Sequence, residues 1–225
     1  MPGETELGHR VLSDAVKDRL LEGILAGRYP PGSRIVETRV ARQLGTSQAP
    51  VREALRDLEG LGLVEIAAFR GARVRRPSLD ELLEAYVVRA ELEALAVRLA
   101  VPRMGADDLA RLAALLDAMV EAAEAGDTIA EATADAAFHG CLVELADNMT
   151  LQRIWGRLEP YSRTYINMAV PGGDHREMAA LHQPLLDALR TGDASLAEAA
   201  IRSHFATAQR SLAARWTTPD TERTP

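Results

Sequence analysis

The sequence is poor in cysteine and has no long apolar runs. Its 225 residues contain one cysteine, Cys141, which excludes an internal disulfide framework and a cysteine-rich zinc site. No run of about 18 apolar residues occurs, so we expect no membrane span. The first residues, Met1-Pro-Gly-Glu-Thr-Glu, lack the basic and then apolar pattern of a secretory signal peptide. These absences favour a protein of the reducing cytoplasm. The length of 225 residues is enough for two compact domains.

Charge is distributed unevenly along the chain. The net charge of −7 argues against a protein that binds nucleic acid along its whole length. Residues 1–76 hold 13 basic and 10 acidic residues, whereas residues 77–225 hold 13 basic and 23 acidic residues. A basic N-terminal part before an acidic remainder predicts a DNA-reading domain joined to a domain with another task.

Two short helices joined by a tight turn are predicted within residues 37–59. Gly45 lies at the turn, Ser47 can cap the second helix, and Pro50 falls in its first turn, where a missing N–H costs little. Four apolar residues at helical spacing form a stripe that faces a core: Val51, Ala54, Leu55 and Leu58. A second face carries Gln48, Ala49, Arg52 and Arg56. A small residue beside Gln and Arg donors suits a helix that enters the DNA major groove.

The flanking residues complete a winged helix-turn-helix. Helical spacing predicts a first helix from Val11 to Ala26, and Ile35-Val36 can form a minimal strand. Residues 63–66 and 72–75 read as two strands around a turn. This pattern predicts a β-hairpin wing, which carries Arg70, Arg73 and Arg75 on or near it.

The chain beyond Pro77-Ser78 is predicted to be all-helical. Ser78 can cap the first helix of this part, with Asp80 and Glu81 in its first turn. Helices are predicted at 79–100, 106–125, 127–147, 149–169, 175–190 and 194–215. We therefore expect a mainly α protein: a winged helix-turn-helix at 1–76, a helical-bundle domain at 77–216 and a disordered tail at 217–225.

Four residues of the helical part could converge on one point. Asp135 and His139 are four positions apart and share a helix face. His182 lies 10 positions before Gly192 and His204 lies 12 after it, so in an antiparallel pair they stand at nearly the same level, roughly 15 and 18 Å from the turn. One carboxylate and three imidazoles suit a borderline divalent ion such as Zn²⁺, Ni²⁺, Mn²⁺ or Fe²⁺, and ligand softness does not select among them. Alternatively, the histidines are hydrogen-bonded residues of the core.

Arg89 and Glu93 are also four positions apart, and their spacing has two interpretations. One is an ion pair within the helix. The other is that Arg89 faces a cavity and holds the carboxylate of a small effector molecule. Further pocket residues could be Tyr86, Asn148, Tyr161, Arg163 and Tyr165, although helical packing alone would explain them. Trp155 and Trp216 are interpreted as packing residues, and His175 as a loop or cap residue.

The N-terminal part closely resembles the GntR family of bacterial transcription regulators. The longest matching stretches are Gly27-Arg-Tyr-Pro-Pro-Gly-Ser-Arg-Ile35, Val40-Ala-Arg-Gln-Leu-Gly45 and Ser47-Gln-Ala-Pro-Val-Arg-Glu-Ala-Leu55. Shorter matches are Leu58-Glu59, Gly62-Leu-Val64 and Arg70-Gly-Ala-Arg-Val74. The resemblance implies that DNA is touched by Thr38, Arg39, Ser47, Gln48, Ala49, Arg52, Arg70 and Gly71. Many relatives have Arg at the position of Gln48, and because Gln pairs best with adenine and Arg with guanine, a different base is expected there.

The helical part resembles the FadR-type effector domain, the FCD domain. The matching residues are Val88-Arg-Ala-Glu-Leu-Glu93, Asp135-Ala-Ala-Phe-His139, Leu181-His182 and His204. These include the family's metal-ligand set, so the resemblance implies one divalent metal ion held by Asp135, His139, His182 and His204. It also implies a homodimer that is released from DNA by a small metabolite, with Arg89 as a candidate effector-binding residue.

These observations lead to three functional hypotheses. The first is a bacterial DNA-binding regulator, a repressor by family tendency, that binds a palindromic operator as a dimer and responds to a small organic acid near a metal. The second is a metalloenzyme with an autoregulatory DNA-binding domain, against which stands the lack of a clear general base beside the ligands. The third is an architectural DNA-binding protein in which the metal is structural.

Overall fold

The chain divides into two units between Pro77 and Ser78. The structure, a computed structural model, describes residues 3–67, 71–158 and 175–216, with side chains from residue 11 onwards. Each unit has its own buried apolar core. None of the helices in these described ranges is long and apolar enough to cross a lipid bilayer.

The N-terminal unit is three helices and a small sheet. The helices are α1 (Gly3–Leu25), α2 (Glu37–Gln43) and α3 (Gln48–Gly60). The strands β1 (Arg34–Ile35), β2 (Val64–Ala67) and β3 (Gly71–Val74) form an antiparallel sheet in the order β1-β3-β2. The predicted winged helix-turn-helix is therefore confirmed. The first helix begins eight residues earlier than the apolar spacing predicts, at Gly3 rather than Val11.

Helix α3 is held by the stripe that its sequence predicts. Val51, Ala54, Leu55 and Leu58 are all fully buried, and α3 packs against α1. Ser47 occupies the N-cap position, but its side chain makes no capping hydrogen bond. The prediction that Ser47 caps this helix is therefore wrong in the structure, and the side chain is instead exposed.

The wing is a hairpin of β2 and β3 in which Glu65 pairs with Arg73 and Ile66 pairs with Ala72. Gly71 begins β3 with φ of +76°, a backbone conformation that favours glycine. Residues 68–70 lie outside the described part of the chain, and these include Arg70 of the predicted DNA interface.

The described part of the C-terminal unit is helical throughout, as predicted. Its helices are α4 (Leu79–Ala100), α5 (Ala106–Ala125), α6 (Thr128–Leu145), α7 (described over 149–158), α8 (His175–Ala180), α9 (Gln183–Arg190) and α10 (Ala194–Arg215). A 3₁₀ turn, Val101–Arg103, follows α4. Helix α4 packs against α10 and α6, while α5 packs against α6, α8 and α9. The predicted continuation of α7 to residue 169 and the predicted tail at 217–225 fall outside the described residues.

Side-chain caps fix the beginnings of three of these helices. Ser78 and Glu81 form a reciprocal capping box at α4, as predicted. Asp127 caps α6 by accepting from two backbone N–H groups, and Asp193 does the same for α10. These caps satisfy N–H groups that a helix cannot pair internally, and so they set the register of the helices that carry the candidate site.

The single helix predicted at 175–190 is instead two helices, α8 and α9, separated by Leu181 and His182. Pro184 lies in the first turn of α9 and explains the break, because proline has no N–H and its ring clashes with the carbonyl four residues earlier. The chain between the helices tightens, with His182 N bonded to Ala179 O at 3.1 Å. His182 therefore lies at a helix junction rather than on a helix face.

Candidate functional site

Three buried histidines from different elements meet inside the C-terminal unit. His139 lies on α6, His182 at the α8–α9 junction and His204 on α10, and their relative exposures are 1%, 2% and 7%. Their ring centroids are 4.4 Å apart for His182 and His204, and 5.1 Å apart for the two pairs that include His139. One nitrogen from each ring lies within 4.8 Å of the others. The proximity of His182 and His204 agrees with the prediction that they stand at nearly the same level from the turn at Gly192.

Asp135 adds a carboxylate to this cluster. Its Oδ1 lies 3.2 Å from His182 Nε2 and 3.7 Å from His139 Nε2, and about a third of its side chain is exposed. Burial acts to raise the pKa of Asp135, but the neighbouring His139 and His182 outweigh it and hold this pKa far below its usual range. Asp135 is therefore an ionised oxygen donor beside the rings.

The outer nitrogens of the three rings are all engaged by acceptors. His139 Nδ1 donates to Glu93 Oε2, His182 Nδ1 to Ala179 O at 3.2 Å, and His204 Nδ1 to Leu181 O at 3.4 Å. In a neutral imidazole this leaves Nε2 without a proton and with a free lone pair. Burial, together with the neighbouring His182 and His139, lowers the pKa of His204 well below 6.5, so this ring is neutral at pH 7.

The spacing of these atoms suits a shared cation. His139 Nε2 and His182 Nε2 are 3.1 Å apart, and Asp135 Oδ1 is 3.2 Å from the latter. Donors that share a divalent ion at about 2.0–2.2 Å lie roughly 3–3.5 Å from one another. Lone pairs that face each other in a buried site repel unless a proton or a cation lies between them. The donor set, with three imidazoles and one carboxylate, therefore fits a borderline divalent metal.

Arg89 and Glu93 form the ion pair that one interpretation of their spacing predicts. Arg89 Nε and Nη2 lie 3.0 and 2.9 Å from Glu93 Oε1, and both residues are buried. The guanidinium carbon also lies 5.1 Å from the ring centroid of Phe205, which itself contacts His204 and His139. Burial acts to raise the pKa of Glu93, but His139 and Arg89 lower it to about 2. Arg89 thus borders the histidine cluster while it neutralises Glu93.

The contacts that Glu93 and Trp155 make beside the histidine cluster are not indicated by the sequence. Trp155, interpreted as a packing residue, donates from Nε1 to Glu93 Oε1 at 2.7 Å. Nothing in the sequence connects Glu93 with His139, which lies 46 positions away. Only the packing of α4 against α6 brings them together.

The remaining pocket candidates have structural contacts. Tyr86 is buried edge-to-face against Phe205, and Asn148 accepts from the N–H groups of Thr150 and Leu151 at the beginning of α7. His175 begins α8, as the cap interpretation allows, and its Nδ1 lies 2.8 Å from Glu131 Oε2. Tyr161, Arg163 and Tyr165 lie outside the described residues.

The predicted DNA-contacting residues that the structure describes lie at the surface of the N-terminal unit. Six of these residues are exposed: Thr38, Arg39, Ser47, Gln48, Ala49 and Arg52. Gly71 is half-buried. Arg52 is held by Glu37, with Arg52 Nη2 and Nε 3.0 and 3.3 Å from Glu37 Oε2. Arg73 of the wing donates to Gly32 O at 3.0 Å. The beginning of α3 thus presents one small and several polar side chains to solvent.

Comparison with known proteins places both units. Residues 12–74 match the family described as bacterial regulatory proteins, gntR family, and residues 84–207 match the FCD domain. The chain is 38% identical to the "Probable D-xylose utilization operon transcriptional repressor" of Paenarthrobacter nicotinovorans, over 89% of this chain and 88% of that protein. It is 32% identical to the HTH-type transcriptional regulator McbR of Escherichia coli K12, over 86% of this chain and 89% of McbR. The solved structure of E. coli McbR/YncC covers 90% of this chain and is itself covered to 97%, with a TM-score of 0.76 and 28% identity.

Proposed function

The chain belongs to the GntR family of bacterial regulatory proteins, with an FCD domain, and from this premise we propose a specific mode of regulation. That it is a DNA-binding transcriptional regulator, and not a metalloenzyme, follows from its relatives, which are regulators. The proposal is that it acts in the cytoplasm as a homodimeric repressor at a palindromic operator. A small organic acid that binds near a metal ion in the C-terminal unit would control it.

The division of labour follows the two units. Residues 1–76 read DNA through the exposed beginning of α3, the preceding α2 and the wing, where Arg70 is also expected to contribute. Residues 77–216 hold the metal and the effector. The exposed face of Gln48, Ala49 and Arg52 supports this assignment, because these side chains are free of the core and of a size that the major groove admits.

The observation that carries the metal assignment is the convergence of three histidine nitrogens, with a carboxylate oxygen of Asp135 beside two of them. Asp135, His139, His182 and His204 would hold one divalent ion, with Zn²⁺, Ni²⁺, Mn²⁺ and Fe²⁺ as the candidates. An ion that takes five or six ligands would have coordination positions beyond these four donors for a carboxylate effector or water. Arg89 would bind the carboxylate of the effector, which would compete with the Glu93 carboxylate for the guanidinium.

Regulation then requires a difference in affinity between two states. An effector can shift the protein off DNA only if it binds the state that does not bind DNA more tightly than the state that does.

A third possibility is an architectural DNA-binding protein in which the metal is structural. Its operator binding would not respond to any organic acid.

Metal binding is tested by thermal unfolding of the metal-free protein. Binding to the folded state alone stabilises it, by about 2.7 kcal/mol at an ion concentration of a hundred times Kd. We expect one or more of the four ions to raise the melting temperature of the C-terminal unit in a concentration-dependent manner. His182→Ala and His204→Ala should each abolish most of that rise and most of the metal found by elemental analysis.

His175→Ala is the matched control, because it removes a histidine of the same unit whose partner is Glu131 and not the cluster. It should retain the metal-dependent rise. Operator binding of the metal-free histidine variants should be largely preserved, since the predicted DNA contacts belong to the other unit. A wild-type protein that neither takes up any of the four ions nor changes its melting temperature would reduce the cluster to packing and hydrogen bonding.

A further inference from the structure

Glu93 is a fully buried carboxylate at which side chains from three helices meet. Its two oxygens divide the partners between them. Oε1 accepts from Trp155 Nε1 at 2.7 Å and from Arg89 Nε at 3.0 Å. Oε2 accepts from Nδ1 of His139. The same carboxylate therefore belongs to the Arg89 ion pair and to the histidine cluster.

This division determines where the His139 ring carries its proton. An ionised carboxylate oxygen can only accept a hydrogen bond, so Nδ1 of His139 must carry a proton, and Nε2 is the nitrogen left to face the cluster. That Nε2 is the atom 3.1 Å from His182 Nε2, inside the cluster. His182 and His204 bond through Nδ1 to neutral backbone carbonyls, whereas the acceptor for His139 is an ionised group.

We propose that Glu93 is a positioning residue of the metal centre, which holds His139 with Nε2 bare toward the cation. The inference rests on the proposed metal site and adds to it a residue outside the four ligands. A carboxylate that accepts from the far nitrogen of a ligand histidine fixes its tautomer and orientation and makes the ring a stronger donor. The competing explanation is that Glu93 only neutralises the buried Arg89, in which case the His139 contact is incidental.

Zinc affinity tests whether Glu93 contributes to metal binding at all. Metal-free, full-length wild type, Glu93→Gln and Glu131→Gln would be titrated with Zn²⁺ in competition with a chelator of known affinity. Glu131→Gln is the matched control, since Glu131 is another buried carboxylate that bonds a histidine, His175, outside the cluster. We expect Glu93→Gln to bind Zn²⁺ roughly 10–100-fold more weakly than wild type, and Glu131→Gln to stay within about threefold of it.

The tautomer of His139 gives a readout that a counter-ion for Arg89 would not change. Nitrogen-15 NMR of the Zn²⁺-loaded wild type should show Nδ1 of His139 protonated and Nε2 bound to the ion. The resonance would be assigned by its loss in His139→Gln. In Glu93→Gln the preference for this tautomer should weaken. Should Glu93→Gln fail to fold, a Zn²⁺-loaded wild type in which His139 binds the ion through Nδ1 would still overturn the proposal.

Two results would overturn the proposal: a wild-type His139 that binds Zn²⁺ through Nδ1, or a Glu93→Gln protein that binds Zn²⁺ as tightly as wild type. Both leave the metal centre itself intact if wild type binds the ion. A wild type that binds neither Zn²⁺ nor the other three candidate ions would instead overturn the metal centre, and the positioning function of Glu93 with it.

Discussion

At the scale of single residues, the position of Arg52 in the DNA-free protein bears most directly on how the protein would read DNA. Its guanidinium is held on one side by Glu37, while about half of the side chain stays exposed, 52%. An ion pair this exposed contributes little to stability, about 0–1 kcal/mol. Its effect is to restrict the directions in which Arg52 can point, which lowers the entropy lost when the remaining N–H groups bind a base.

Replacement of Arg52 tests whether it reads a base. Arg52→Ala should cost about 1–3 kcal/mol in binding to the selected operator and much less in binding to random duplexes. Glu37→Gln should reduce the same discrimination by a smaller amount, since it loosens Arg52 without removing it. Both are measured by fluorescence anisotropy at fixed salt, because phosphate contacts make affinity depend on ionic strength.

Arg28→Ala is the control for this series, as it removes one exposed positive charge outside the predicted contact positions. It should weaken binding to selected and to random duplexes by the same small amount. Equal losses on both duplexes for Arg52→Ala would mean that Arg52 meets phosphate and carries no sequence information.

Some residue contacts of the candidate site are encoded by local spacing, and others depend on helix packing. Residues four apart on one helix, such as Asp135 with His139 and Arg89 with Glu93, could be placed together because helical geometry alone fixes their separation. The contact of Glu93 with His139 depends on how α4 packs against α6, and no local spacing encodes it. Trp155 is likewise interpreted from the sequence as a packing residue, and its hydrogen bond from Nε1 to Glu93 depends on the packing of α7.

At the scale of elements, the caps and breaks of the helices set the site. Most helices of the C-terminal unit begin and end within two residues of the predicted bounds, because Ser78, Asp127, Asp193 and the glycines at 126 and 192 mark their ends. The apolar spacing does not predict the break between α8 and α9, because apolar residues continue at helical spacing through it. The sequence signal of the break is Pro184.

The capping box of α4 makes a stability prediction at this scale. Ser78→Ala removes the hydroxyl that accepts from Glu81 N at 3.2 Å and should cost the C-terminal unit about 0.5–2 kcal/mol. Urea unfolding followed by tryptophan fluorescence measures this unit alone, because both tryptophans, Trp155 and Trp216, belong to it.

Ser195→Ala serves as the comparison, since Ser195 is an exposed serine in the first turn of α10, where Asp193 supplies the cap. It should change the unfolding free energy by less than about 0.5 kcal/mol. A Ser78→Ala protein as stable as wild type would show that packing of α4 against α10 and α6 alone fixes its beginning.

At the scale of the whole molecule, the charge distribution anticipates the two units. The excess of basic over acidic residues in 1–76 lies in the unit that matches the gntR family, and the acidic excess lies in the unit that matches the FCD domain. Composition could supply this division because electrostatic attraction to DNA is a property of a whole surface and not of one geometry. Composition could not supply the effector, because a pocket depends on the few side chains that converge in it.

Self-association is the last expectation at this scale. One recognition helix reads only a few base pairs, which is too few to find a site in a genome, so two must act together. Two adjacent apolar side chains on α4, Val87 and Val88, are 57% and 50% exposed in the single chain. We expect the first helices of the C-terminal unit to bury them against a second copy. Sedimentation at micromolar concentration should then give about twice the chain mass of 24.4 kDa.

Val87→Glu should shift this equilibrium toward the monomer, because a charge would have to be desolvated in the interface. Val120→Glu, a matched change at an exposed valine of α5, should leave the dimer intact. Footprinting with wild type should show a two-fold symmetric site, and Val87→Glu should lose operator affinity with the same protein-concentration dependence as its dissociation. A Val87→Glu monomer that still protects both half-sites as one unit would show that pairing occurs on the DNA and not through α4.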